Sequence, residues 1–332
     1  MKLVLTLLTR DQADVVDAVV AFHLHAGVDF VIATDHRSED GTAEILESYE
    51  RDGVLHLTHE PGEEIRTPEW RTRMARQAEE ELGADWVIGC DGDEFWWPRG
   101  YSLKEALSAV PEPFGVVQAP LRCFLPRLEG PAFFAERMTV RLSPRAALLD
   151  PLCPFKPAVK IAHIAVPDVM VQGGSHRLLA GDLVPLPGWH PIEVLHFPIR
   201  SEEQYGRKLE QWRLGGREGP FTLAGPSAAQ RFGSLAIDEE RLALGLQNGS
   251  LAFDTRLRDA LRTLRNHDRH PGVAPFRLPS EGGALAFPRP TVEQDRGYAT
   301  DLAPLTDRFV LRRELQLDDL AARVVARERA RF

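Results

Sequence analysis

The sequence predicts an α/β fold, in which a sheet with helices on both faces is followed by a mainly helical C-terminal region. Apolar strand-like runs alternate with helical patterns through about the first 90 residues, the order that is typical of right-handed βαβ units. Apolar residues at helical spacing dominate after residue 200. We therefore divide the chain into residues 1–200 and 201–332, the second part with an irregular Pro- and Gly-rich segment near 266–301.

The first elements are bounded by local start and stop signals. Leu3 to Leu8 is an apolar strand, after which Thr9 offers a helix N-cap and Gly27 a helix end. Val28 to Thr34 is the second strand. The alternation continues with a helix from Thr42 to Arg51, a strand from Val54 to Leu57, and a helix that begins at Thr67 or Pro68 and is closed by Gly83.

The stretch Asp85 to Pro98 carries the strongest indication of chemistry. Trp86 to Ile88 is typical of a buried strand that ends at Asp91-Gly92-Asp93, and Gly92 lets the chain turn so that both carboxylates converge. Open α/β sheets bind ligands at this edge. Two neighbouring carboxylates repel each other unless a cation lies between them, which favours Mg²⁺ or Mn²⁺ together with a diphosphate. An ordinary solvated turn is the alternative interpretation.

The loop Asp35 to Thr42 follows a strand and opens a helix, so it should lie at the same edge of the sheet as Asp91. Asp35 could accept hydrogen bonds from a base or ribose, whereas Ser38 and Asp40 could bind a ligand or only cap the helix. The helix from Thr67 carries several arginines, most of which we expect in solvent. One of them, Arg73, could reach a diphosphate.

The later part of the chain adds a third candidate segment. His196 ends an apolar run and precedes Pro198 and Arg200, which suits an imidazole presented as a third metal ligand, with Arg200 close to phosphate. We expect antiparallel edge strands at Val116 to Leu125, Phe133 to Leu142 and Lys160 to Ile164. The predicted C-terminal helices are Glu202 to Leu214, Ala228 to Phe232, Asp238 to Leu246, Thr255 to Arg265 and Arg313 to Arg331.

Composition limits the function classes. A net charge of -9 argues against a nucleic-acid partner. The apolar stretch near the start, Lys2 to Leu8, is too short for a transmembrane segment and lacks a signal-peptide cleavage site, so a cytoplasmic protein is expected. The cysteines Cys90, Cys123 and Cys153 show no metal or disulfide spacing. The apolar face of the last helix could pack on the body or on a second copy in a homo-oligomer.

With these motifs in order, the sequence resembles the GT-A glycosyltransferases, of the family 2-like group that is also similar to family 92. The matching pieces are Thr9-Arg10-Asp11, the loop Asp35 to Thr42, Gly83 to Phe95, and His196 to Ser201. The resemblance covers about two thirds of the chain and implies a Rossmann-like GT-A domain in residues 1–200. It also implies a metal-dependent glycosyltransferase that takes a nucleotide-diphosphate sugar as donor and a hydroxyl group as acceptor, by an inverting mechanism.

The resemblance assigns roles to particular residues. Thr9, Asp35, Ser38, Asp40, Arg73, Asp91 and Arg200 would contact the donor, and Asp91, Asp93 and His196 would hold Mn²⁺ or Mg²⁺. No Glu-Asp pair matches the acceptor-side base of the family, which leaves Glu94, Asp182 and Glu193 as candidates. Two alternatives remain open: a nucleotidyltransferase, although the first loop lacks a glycine-rich phosphate site, and a non-catalytic nucleotide- or carbohydrate-binding protein.

Overall fold

The computed structural model describes residues 1–100, 102–127, 133–143, 158–214 and 228–265, together with Phe276, Leu285 and Phe287. The predicted helix from Arg313 to Arg331, Cys153, and almost all of the irregular segment 266–301 lie outside the described residues. Within the described ranges, no helix combines the length and the apolar character that a membrane span requires.

The described chain alternates strands and helices in its first half and becomes mainly helical after residue 200. The strands are β1 (Leu3–Thr9), β2 (Phe30–Asp35), β3 (Leu55–His59), β4 (Trp86–Asp91), β5 (Glu94–Pro98), β6 (Phe114–Cys123), β7 (Val140–Leu142), β8 (Val159–Ile164), β9 (Met170–Val171), β10 (Leu178–Ala180), β11 (Val184–Pro185), β12 (Ile192–His196) and β13 (Leu251–Phe253). The helices are α1 (Val16–His25), α2 (Thr42–Arg51), α3 (Thr67–Glu80), α4 (Leu103–Ser108), α5 (Phe134–Arg137), α6 (Glu202–Leu214), α7 (Ala228–Leu235), α8 (Glu239–Asn248) and α9 (Arg256–Leu264).

The central feature is a mixed sheet with the strand order β3-β2-β1-β4-β8-β6-β12-β5, in which β11 also pairs with β6. Strands β1 to β4 are parallel, whereas β8 is antiparallel to both of its neighbours. Because β12 is parallel to β6, both run in the direction of β4. The predicted mixed α/β fold with helices on both faces is confirmed.

Two apolar layers hold the helices against the sheet. On one face, α1 is buried at all ten positions and packs with Leu5, Ile88 and the aromatic side chain of Phe95. On the other face, α3 buries Met74 and its small neighbours against Val87. Helix α9 packs into the same core as α1, so residues after 200 contact the first part of the chain. The division at residue 200 stays a prediction.

Two local predictions were wrong. Thr9 does not cap α1, because β1 continues through Thr9, which pairs with Asp35, and the helix begins only at Val16. The segment Phe133 to Leu142 is not a continuous strand. Its helix-favouring residues form the single turn α5, which buries Phe134, and strand pairing starts at Val140.

The placement of β6 and β8 at sheet edges was also wrong, because both strands lie inside the sheet. Ala162 is buried and pairs with Val117 of β6 on one side and Ile88 of β4 on the other. The proline that suggested an edge, Pro120, lies between the residues of β6 that pair with β11 and those that pair with β12, so its missing N–H interrupts neither pairing.

Candidate functional site

Four strands end at one edge of the sheet and surround a cleft. Thr9 at the end of β1 pairs with Asp35, Leu8 pairs with Asp91, and His196 ends β12 opposite Glu94. The cleft has a volume of about 350 Å³. It is lined by Leu8, Thr9, Arg10, Asp11, Gln12, His36, Ile65, Thr67, Trp70, Asp91, Gly92, Asp93, Gly173, Gly174, His196, Gln204, Arg207, Lys208 and Gln211.

Asp91 is held by two buried cations on the inner side of the cleft. Its Oδ1 accepts a hydrogen bond from Arg71, and its Oδ2 lies 2.6 Å from Lys160 Nζ. Burial raises the pKa of the Asp91 carboxyl, but Lys160 and Arg71 outweigh burial and keep that pKa below its usual range. The Asp91 side chain is 38% exposed, so the carboxylate also faces the cleft.

Asp93 is turned toward different partners. Its Oδ1 lies 3.4 Å from His196 Nε2, and its Oδ2 lies 3.0 Å from Lys208 Nζ and 3.8 Å from Arg200 Nη1. The Asp93 side chain is only 4% exposed. Although burial favours its protonated form, Lys208 and His196 hold the pKa of Asp93 well below the usual value. Asp93 is therefore a buried carboxylate that depends on neighbouring positive charge.

Glu94 completes a compact group of potential ligands. The carboxylates of Asp93 and Glu94 and the imidazole of His196 each offer one ligand atom, and these atoms lie within 4.8 Å of one another. Glu94 Oε2 accepts the N–H of Asp91 at 3.0 Å, and Oε1 lies 2.9 Å from Lys160 Nζ. Burial raises the pKa of Glu94 despite the charge of Lys160.

His196 is oriented by contacts at both ring nitrogens. Nε2 faces Asp93, whereas Nδ1 lies 3.6 Å from the Sγ atom of Cys123. Burial lowers the pKa of His196, but the Asp93 carboxylate outweighs burial and raises that pKa to about 10. Asp93 and His196 thus each stabilise the charged form of the other.

Asp35, Ser38 and Asp40 organise the entrance to the cleft, whereas His36 of the same loop lines it. Both carboxylate oxygens of Asp35 accept hydrogen bonds from Ser38, and the Ser38 Oγ atom in turn accepts the N–H of Asp11 at 2.9 Å. Asp40 accepts the N–H of Ala13 at 3.1 Å. These bonds fix the loop after β1. The donor contacts of Asp35, Ser38 and Asp40 stay predictions, and Thr9 lies in the cleft wall.

The two arginines predicted to reach a diphosphate lie in different places. Arg73 does not line the cleft: its Nη1 contacts Glu60 at 2.5 Å, and its Nη2 lies 3.3 Å from Thr34 Oγ1 of β2. Arg200 is 1% exposed and is held by Asp14 at 2.6 Å and by Gln12 at 2.7 Å. Arg200 thus fixes the loop that carries Gln12 and adds positive charge behind Asp93.

The three candidate bases are separated by the fold, and none of them lines the cleft in the described part of the chain. Glu94 is buried next to the cleft. Asp182 is exposed in the turn between β10 and β11. Glu193 is buried with Arg122, at 2.7 Å, and with Arg256, and these cations hold its pKa below the usual value despite burial. A base role for these residues stays a prediction.

Sequence reasoning missed the ion pairs that Arg71, Lys160 and Lys208 make with the acidic motif. Arg71 was expected in solvent with the other α3 arginines, but it is fully buried and donates to Asp91 and to the carbonyl oxygens of Thr6 and Cys90. Lys160 is 2% exposed in the middle of the sheet. A lysine within an apolar strand was the one available sign of a buried ion pair. Lys208 lies on a charged helix whose pattern gives no such sign.

No protein-family model matches the chain, and no curated protein matches it. Among solved structures, it is similar to Staphylococcus aureus TarS residues 1–349 in complex with UDP, with 13% identity over 86% of this chain and 99% of that chain and a TM-score of 0.35. The TarS complex with UDP-GlcNAc gives 13% identity, coverage of 74% and 73%, and a TM-score of 0.35.

A further similar structure is glucosyl-3-phosphoglycerate synthase from Mycobacterium tuberculosis in complex with Mn²⁺, UDP and phosphoglyceric acid. It shares 15% identity over 49% of this chain and 56% of that chain, with a TM-score of 0.25. Similarity at this level does not identify a family for the chain.

Proposed function

We propose that the chain is a glycosyltransferase of the GT-A type, which transfers a sugar from a nucleotide-diphosphate sugar to an acceptor hydroxyl with the help of a divalent cation. The observation that carries the proposal is the group formed by Asp93, Glu94 and His196, in which Asp93 and His196 line the cleft and Glu94 is buried next to it. This cleft lies at the carboxyl ends of parallel strands, where α/β sheets bind their ligands. The family 2-like assignment and the inverting outcome are part of the same proposal.

The residues present fit a hard divalent cation. Two carboxylates and one imidazole suit Mn²⁺ or Mg²⁺, both of which commonly keep further positions for water and substrate phosphates. We assign Asp93, Glu94 and His196 as the protein ligands. When bound, the cation would neutralise the charge that develops on the diphosphate leaving group. Asp91, predicted as a ligand, faces Arg71 and Lys160, and its exposed part suits a contact with the donor ribose or with water.

The chain's own cleft residues would bind and orient the donor. Arg207, Lys208 and Gln211 of α6 approach from one side, and Thr9 and Gln12 from the other. Positive charge from the α6 side chains favours the diphosphate in a chain that is acidic as a whole. An acceptor hydroxyl would attack the anomeric carbon as it loses its proton to a carboxylate, and a single displacement of this kind inverts the configuration.

The proposal is tested by thermal-shift measurements with nucleoside diphosphates and nucleotide sugars, each with and without Mn²⁺. A ligand that binds only the folded state raises the melting temperature, so stabilisation that needs both the cation and one nucleotide is expected. Asp93→Asn should remove this shift. Asp168→Asn, which changes an exposed carboxylate outside the cleft, is the control and should keep it.

The reaction products then separate the alternative functions. Release of a nucleoside diphosphate from a nucleotide sugar supports glycosyl transfer, whereas release of pyrophosphate from a nucleoside triphosphate supports a nucleotidyltransferase. Cation-dependent binding without turnover supports a binding protein. If the wild-type chain shows no nucleotide shift that depends on Mn²⁺, the assignment of a donor site is wrong.

A further inference from the structure

The ammonium group of Lys208 lies against the candidate cation site. Its Nζ atom is 3.0 Å from Asp93 Oδ2 and 3.1 Å from the carbonyl oxygen of Pro198. Carboxylate and carbonyl oxygens are also the atoms that divalent cations prefer. We propose that Lys208 is a resident counter-ion of Asp93, which competes with the divalent cation and, once displaced, binds the phosphate groups of the donor. This inference rests on the proposed function.

Asp93 needs a counter-ion because its side chain is almost completely buried. An ionised carboxylate in such a place is costly unless a positive charge compensates it. Arg200 cannot take over this role fully, because its Nη1 stays 3.8 Å away and its other nitrogens are held by Asp14 and Gln12. Lys208 is thus the closest lysine or arginine contact of Asp93, and the other near group is the His196 imidazole at 3.4 Å, itself an assigned cation ligand. Removal of Lys208 would therefore increase the attraction of Asp93 for an external cation.

Lys208 is less enclosed than Arg200, as the exchange requires. Its side chain is 20% exposed, whereas that of Arg200 is 1% exposed. A lysine is a point charge on a flexible four-carbon stem and can change partners without a fixed planar geometry. Gln204, Lys208 and Gln211 follow the i, i+4, i+7 spacing of one helix face, and all three line the cleft. The displaced ammonium group therefore stays within the space that a diphosphate would occupy.

Competition predicts coupling between the two ligands. In the absence of a diphosphate, the cation must displace Lys208 from Asp93. It therefore binds more weakly than it would to the same three ligands without Lys208. A bound diphosphate forms a new ion pair with the displaced Lys208, which offsets the free energy that the displacement costs. The cation and the diphosphate therefore each strengthen the binding of the other. A site in which Lys208 is only a surface charge would show no such coupling through this residue.

The test measures Mn²⁺ binding by calorimetry and by electron paramagnetic resonance for the wild type, Lys208→Met and Lys104→Met. Lys208→Met should bind Mn²⁺ alone about ten-fold more tightly, a typical size for a coupling between two ligands. Lys104→Met removes the same charge outside the cleft, where its partner is Asp29 at 2.6 Å, and should bind Mn²⁺ like the wild type. With inorganic pyrophosphate and saturating Mn²⁺, Lys208→Met should bind pyrophosphate about ten-fold more weakly.

Unchanged or weaker Mn²⁺ binding in Lys208→Met overturns the inference. An equal gain in Lys104→Met also overturns it, because the gain would then follow from the loss of any positive charge. Unchanged pyrophosphate affinity removes the phosphate-binding role. If neither the wild type nor Lys208→Met binds Mn²⁺, the proposed function fails together with the inference. Mn²⁺ binding that Asp93→Asn abolishes but Lys208→Met leaves unchanged rejects the inference alone. If Lys208→Met does not fold, Lys208→Gln serves the same comparison.

Discussion

His23 gives the fold a measurable sensitivity to acid. The imidazole is completely buried in α1, its Nδ1 lies 2.7 Å from the carbonyl oxygen of Val19, and its Nε2 lies 3.1 Å from the backbone nitrogen of Trp96. A neutral ring satisfies both contacts, because Nδ1 donates and Nε2 accepts. Burial lowers the pKa of His23 to about 4, although the bond to Val19 opposes that shift. Protonation would replace the acceptor for Trp96 with a second donor.

The sign and size of the effect follow from the two pKa values. In the unfolded chain His23 takes up a proton as the pH falls below about 6.5, whereas in the folded chain it stays neutral until about pH 4. Between these two pH values the unfolded state binds more protons than the folded state. The free energy of unfolding therefore decreases as the pH is lowered. A difference of one pKa unit corresponds to about 1.4 kcal/mol, which gives roughly 3 kcal/mol between pH 7 and pH 4.

The measurement is urea denaturation of the wild type and His23→Gln at pH 7, 6, 5 and 4.5, followed by circular dichroism in a chelating buffer. Glutamine keeps one donor and one acceptor but does not titrate. At pH 7 the variant should be less stable by about 1–3 kcal/mol, because a buried hydrogen bond is lost or distorted. At each pH, the free energy of unfolding of the variant is subtracted from that of the wild type. This cancels the pH-dependent contributions of the carboxylates and of His163, which both proteins share. A wild-type minus variant difference that stays constant between pH 7 and pH 4.5 would refute the reasoning.

Four further substitutions test how the site and the fold around it are supported. Arg71→Met should lower the free energy of unfolding by about 3–5 kcal/mol, because a buried cation with a carboxylate and two carbonyl partners is removed. Arg73→Met, on the same helix but 44% exposed, should change it by less than about 1 kcal/mol; both are measured by urea denaturation. Gly89→Ala would place a methyl group 2.5 Å from the Ser175 Oγ atom, so we expect a lower melting temperature and weaker nucleotide binding as the adjacent Gly173-Gly174 wall shifts. Ser102→Ala removes the capping box of α4 and should cost about 1 kcal/mol in the same urea assay without changing nucleotide affinity.

The parts of the fold that depend on local pattern could be predicted from the sequence. The helices Thr42–Arg51 and Glu202–Leu214 lie where the pattern placed them, because the end of each is marked by a change in local composition. The start of α1 could not be placed, because Val15 caps it without a side-chain hydrogen bond. The chain before α1 is held by the N–H groups of Asp11 and Ala13, which donate to the side chains of Ser38 and Asp40. These two acceptors belong to the loop after β2, so the local sequence does not show them.

Of the candidate site, only the residues at the ends of strands could be predicted from the sequence. The pattern placed Asp91, Asp93 and His196 at one sheet edge, and the structure brings Asp93 and His196 to 3.4 Å. The partners of these carboxylates depend on tertiary packing. Lys160 lies 69 positions from Asp91 in sequence, and Lys208 lies 115 positions from Asp93, so no local signal relates them.

The two aspartates of the motif are alike in sequence and different in their surroundings. Gly92 reverses the chain between them, so Asp91 faces the cations of α3 and β8, and Asp93 faces those of β12 and α6. The partners of Asp91 are almost completely buried and fixed. Those of Asp93 include a lysine whose side chain is 20% exposed. Under the proposed function, only the partners of Asp93 include a side chain that can move aside for a cation and a diphosphate. We therefore assign ligand exchange to Asp93 and support of the cleft floor to Asp91.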